Sequence, residues 1–140
     1  MPPEKRDAGY LWDMREAARD CIEFVKAATY DEFCADRMMH SAVERRLEVL
    51  GEAAGRVSEE FQLSHPEIPW KEIKAIRVVL AHRYGDVNLH ELWQAVQRDL
   101  PDLLPKLDVL IPSVENPKIR RCTNETSRRH QRLQLQGMER

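Results

Sequence analysis

Arg77, His82 and Tyr84 fall within one short stretch, AIRVVLAHRYGD (75–86), whose other residues are mostly apolar. Arginine does not belong on a core-forming segment unless it is paired or has a task. Arg77 offers planar, bidentate donors that match phosphate oxygens. His82 carries an imidazole with an ordinary pKa of about 6.5, so it can take or give a proton at neutral pH. RNA brings its own nucleophile, the 2′-hydroxyl. One proton-transfer group and one cationic clamp therefore suffice, in principle, for phosphodiester cleavage without a metal. Tyr84 taken alone reads as an amphipathic end-of-helix residue. Such trios also recur by chance, so the surrounding chain must decide.

The elements around these residues read as helices. There is no strand-like alternation, no hairpin dipeptide and no internal repeat. In residues 8–28, Leu11, Met14, Ala18, Cys21 or Ile22, and Val25 recur at steps of three and four. Thr29 with Glu32 three residues on forms a capping box. It opens what reads as one long helix, with Met39, Val43, Leu47, Leu50, Ala54, Val57 and Phe61 as its apolar stripe. Gly51 and Gly55 inside that stripe are read as a close approach of another helix rather than a kink. SHPEIP (64–69) ends this helix, and Pro69 can start the next, over about 69–84, with Gly85 as its stop. Asn88 caps a fourth helix with Leu89, Leu92, Trp93, Val96 and Leu100 on its apolar face, and Pro101 and Pro105 kink or split it. The expected fold is all-α: an antiparallel bundle of four or five helices joined by short loops.

The third helix is apolar nearly all round, with Ile73, Ala75, Ile76, Val78, Val79, Leu80 and Ala81. Few helices in one subunit can cover such a rod, and a helix-on-helix homodimer is the simple remedy. Arg77 and His82 are about 140° apart on an ideal helix. Either the helix ends or distorts before His82, or the site is composed from two subunits; both can hold.

The chain's 140 residues suggest one domain with a real core. No run approaches the roughly 18 apolar residues of a membrane span, and the start reads as no signal peptide. Cys21, Cys34 and Cys122 fit neither a disulfide framework nor a metal pattern, and a reducing cytoplasm is the expected location. No carboxylate cluster or Cys/His spacing argues for a metal, and no cofactor is expected. Net charge is −2 but uneven: residues 1–111 hold 15 Lys+Arg against 21 Asp+Glu, residues 112–140 hold 7 against 3. The split divides the chain into a helical domain, 1–111, and a basic tail, 112–140. The tail is expected to be solvated and mobile, with contact to nucleic acid as the alternative. His40, His65, His90 and His130 show no partner pattern and read as surface residues.

Arg77, His82 and Tyr84 fit the pattern R-xxxx-H-x-Y. With the flanking blocks CADRMMHSAVERRLEVLGEAA, HPEIPWKEIKAIR and ELWQAVQRDLPDLL, the chain resembles the HepT toxins of the HEPN superfamily, small all-helical ribonucleases, over about residues 7–111. The resemblance implies a HEPN-like bundle that dimerises with a catalytic cleft at the subunit interface. It implies a metal-independent endoribonuclease acting through 2′-hydroxyl attack, the toxin of a type VII-like toxin–antitoxin system. It implies an MntA-type nucleotidyltransferase antitoxin that transfers AMP from ATP onto the motif tyrosine. Carried over, Arg77 holds the phosphate, His82 transfers the proton and Tyr84 accepts AMP. Arg83 and Arg46 are expected to add RNA contacts. Three positions depart from the family pattern. Val78 replaces a usually polar residue, Arg83 a usually acidic or small one, and Arg46 a common Asn. The alternative is a non-catalytic helical subunit that docks a minimal nucleotidyltransferase.

Overall fold

The computed structural model describes residues 4–82 and 88–111, with the side chains of 77–82 excepted. Among the described residues every regular element is helical: α1 (Lys5–Val25), α2 (Tyr30–Ala35), α3 (Arg37–Arg56), α4 (Glu59–Ser64), α5 (Trp70–His82), α6 (Leu89–Gln94), a π-helical turn (Ala95–Asp99) and α7 (Leu100–Leu110). None is long and apolar enough to cross a membrane. The all-α bundle expected from the sequence is what forms.

The stripe of α1 is buried as its spacing requires, with Leu11, Met14, Ala18, Cys21 and Val25 inside the core. Val43, Leu47, Leu50 and Ala54 of α3 meet it. The two helices are antiparallel. Near the end of α1, Cys21 lies against the Val43 carbonyl, while near its start the Asp7 carboxylate reaches Ser58 just past α3. Leu92, Val96, Leu100, Leu103 and Leu107, along the rod of α6, the π turn and α7, close the core. That rod packs on α1, and α5 packs on α3.

The one long helix expected after Thr29 is instead three. The capping box forms in part: Thr29 Oγ1 accepts from the Glu32 amide at 3.2 Å. The helix it opens stops at Ala35, because the Asp36 carboxylate accepts from the Met39 amide at 3.1 Å and starts α3 afresh. A second break follows Arg56, where the Ser58 hydroxyl caps α4 through the Phe61 amide. Short polar side chains that bond the backbone thus interrupt a stripe whose apolar spacing runs straight through them. Gly51 is buried, but a side chain at Gly55 would meet nothing within 4 Å. Among the described residues no helix approaches closely there, which corrects the reading of that glycine.

Asn88 caps α6 as expected, accepting from the His90 and Glu91 amides. The prolines do not split the following rod; they widen it. Pro101 has no N–H and its ring crowds the carbonyl four residues back. One turn before it the ladder slips to π spacing, the Leu100 amide bonding Ala95.

Candidate functional site

α5 is set by its first half. Pro69 supplies the carbonyl that accepts from the Ile73 amide. Trp70 and Ile73 are buried, and the indole N–H donates to the His65 carbonyl at 2.9 Å. Phe61 meets Trp70 edge-on and stacks obliquely on His65, centroids 4.3 Å apart. Gln62 then ties two helices together. Its amide nitrogen donates to the carbonyls of Ala54 and Val57 at the end of α3, and its oxygen accepts from Lys74 Nζ at 2.9 Å. Under this corner, buried Asp7 takes 2.8 Å and 2.6 Å hydrogen bonds from the Ser58 amide and hydroxyl. The base of α5 is therefore held to α3 and α4, and Asp7 ties α1 to the same corner.

From that base α5 runs as α-helix through His82. It neither ends nor distorts before His82, so the first of the two alternatives raised by the sequence does not apply. Arg77 and His82 occupy the last two turns of α5, at positions on different faces of the rod. Arg83 and Tyr84 lie outside the described residues.

Arg46 is placed on the α1 side of α3. Its Nη2 pairs with Asp20 Oδ2 at 2.8 Å, and its Nε is buried with no partner among the described residues. Beside this pair sits Cys21, a fully buried thiol pushed up to about 12, chiefly by loss of solvent, with the Arg46 charge opposing and Asp20 adding. A thiol so raised is a core residue and no nucleophile. Among the described residues no three His, Cys, Asp or Glu side chains converge on a point where they could hold a metal ion.

Two of the histidines read as surface residues are half-buried, and three have ring partners. His65 Nδ1 lies 3.0 Å from a carboxylate oxygen of Glu67, which accepts from it, besides its contact with Phe61. The carboxyl of Glu67 is held below its usual range, first by a backbone hydrogen bond and then by His65. His40 meets the buried Phe33, and His90 meets Tyr30, centroids 5.9 Å apart at 84°. Trp93 lies between Tyr30 and Phe33, at 5.8 Å and 5.2 Å. This ring cluster joins α2 to α6. Its partners are some sixty residues apart in sequence, so no local spacing announces it.

The model of the HepT-like ribonuclease family matches residues 14–110, and the chain belongs to that family. A candidate RNase of Methanocaldococcus jannaschii is 36% identical over 107 residues, 76% of this chain and 98% of the relative. A ribonuclease HepT candidate of Thermococcus cleftensis is 38% identical over 101 residues, 72% of this chain and 92% of the relative. No solved structure matches.

Proposed function

We propose that the chain is a metal-independent endoribonuclease, the toxin of a toxin–antitoxin pair, acting as a homodimer. The observation that carries the reading is α5. In a chain of the HepT-like ribonuclease family, a helix clamped at its base carries an arginine and a histidine in its last two turns. His82 takes the proton of the RNA 2′-hydroxyl as the 2′ oxygen bonds to phosphorus. The bond from phosphorus to the 5′ oxygen breaks, and that oxygen leaves with a proton from water. Arg77 stabilises the charge that gathers on the phosphate oxygens. The position of Arg77 on a different face from His82 supports a site completed across the dimer. Residues 1–111 form the ribonuclease unit in this reading, and the basic segment 112–140 lies beyond it.

Neutralisation follows from Tyr84. A nucleotidyltransferase of the MntA type joins its phenolic oxygen to the α-phosphorus of ATP; pyrophosphate leaves and the phenol loses its proton. The AMP phosphate then occupies Arg77 in place of RNA. RNA contacts by Arg83 fit the same picture, whereas Arg46 would have to exchange Asp20 for a phosphate. Val78 favours the second reading, a binding subunit that docks the transferase and cleaves nothing. The deciding experiment incubates purified protein with RNA in EDTA. Cleavage that is lost in Arg77→Ala and in His82→Ala, with circular dichroism unchanged, supports the enzyme. Intact RNA with the unaltered protein, together with a stable transferase complex, supports the binding subunit.

A further inference from the structure

The C-terminal end of α5 and the ring cluster lie at the same end of the bundle. α5 starts beside α4, where Lys74 meets Gln62, and runs antiparallel to α3, toward the end at which α2 and α6 begin. α2, α3 and α6 pack on one another there. From Tyr84 to Asn88 the chain can span at most about 14 Å, so the rings stay within the reach of a few nucleotides from the motif.

The rings are not sealed in the core. Phe33 is buried and Trp93 half-buried, but Tyr30 is 37% exposed and His90 is exposed. Tyr30 is edge-to-face with both His90 and Trp93, and Tyr30 and His90 are the members of the cluster that solvent reaches most. Its hydroxyl is held above the ordinary phenol range, first by a hydrogen bond with Cys34. Arg37 and Met38 line an open concavity of about 580 Å³ at the adjoining corner of α2 and α3. The residues exposed around the rings include Asp31, Glu32 and Asp36, so this corner is not a simple electrostatic phosphate track. It suits unstacked bases, which bind aromatic faces and whose amino groups can donate to carboxylates.

We propose that Tyr30 and His90, backed by Trp93, form a base-stacking platform that holds single-stranded RNA beside the cleavage site. This inference rests on the ribonuclease reading. A labelled single-stranded RNA about 15 nucleotides long is titrated into full-length His82→Ala protein and followed by fluorescence anisotropy at fixed salt. Tyr30→Leu and His90→Leu in that background should each raise Kd about fivefold to a hundredfold, and Tyr30→Phe should not. Melting temperatures of the variants establish that the fold is kept; should either Leu variant unfold, photocrosslinking of the parent to the RNA decides. Crosslinks on the peptides holding Tyr30 or His90 support the platform, and their absence overturns it. An unchanged Kd in both Leu variants overturns the platform and leaves the ribonuclease reading standing. Failure of the parent to bind RNA at all overturns both. Loss of transferase binding with RNA affinity intact would make the rings a protein-docking surface and overturn the proposal.

Discussion

Because α5 is regular through His82, the positions of Arg77 and His82 are about 9 Å apart at Cα and about 140° apart around the axis. In the proposed reading, two positions at that angle on one rod serve a single phosphate only across subunits. In a symmetric dimer, Arg77 of one subunit can work with His82 of the other. The perturbation is to mix two inactive proteins, Arg77→Ala and His82→Ala. If subunits exchange freely in a one-to-one mixture, about half the dimers are mixed. Each mixed dimer then holds one intact site and one doubly damaged site. The mixture should recover about one quarter of the unaltered specific activity, and mixed dimers isolated by two tags about one half. The assay is RNA cleavage on a denaturing gel, with size-exclusion chromatography establishing exchange. Mixed dimers no more active than their parents would refute the shared site and put both groups of each site on one chain.

Asp7→Ala removes two charge-assisted hydrogen bonds and leaves the Ser58 amide unpaired, a loss of about 2–4 kcal/mol, or roughly 10 °C in Tm. A shift under about 2 °C would show that the contact between α1 and α4 is not a lock. Cys21, with its thiol pushed up to about 12, should resist Ellman's reagent in the folded protein at pH 8 and react once denatured, as read by peptide mass mapping. The sign follows: a raised thiol stabilises the fold fully below about pH 9 and loses that contribution as pH climbs toward about 12, so Cys21→Ala should flatten the alkaline fall in stability. Incubation with the cognate nucleotidyltransferase, ATP and Mg²⁺ should add the mass of AMP to the peptide holding Tyr84 and none to Tyr84→Phe; modification elsewhere would remove Tyr84 from its regulatory role.

The sequence was most legible where one physical effect acted alone. The stripe of α1 and the Asn88 cap form as their spacing dictates. It misled where two effects overlapped. Asp36 and Ser58 break the helix through side-chain caps, yet the apolar residues around them keep helical steps, and burial spacing says nothing about a cap between two buried turns. The placement of Arg77 and His82 on one helix was legible because both lie on one local repeat. The approach of Tyr30 to His90 was not, since it is made by α2 and α6 meeting across the bundle.

Trp70, Ile73 and the Lys74–Gln62 bond anchor the first half of α5, and Arg77 and His82 come after them in the same helix. A helix is a stiff element, so positions at its far end are aimed by its base. Gln62 links that base to α3, because one side chain holds both the carbonyls closing α3 and the ammonium of α5. A second subunit on the apolar face and RNA over the ring cluster would complete the far end from two sides. The proposed cleavage site and the proposed ring platform therefore share the end of the bundle where α2, α3 and α6 come together.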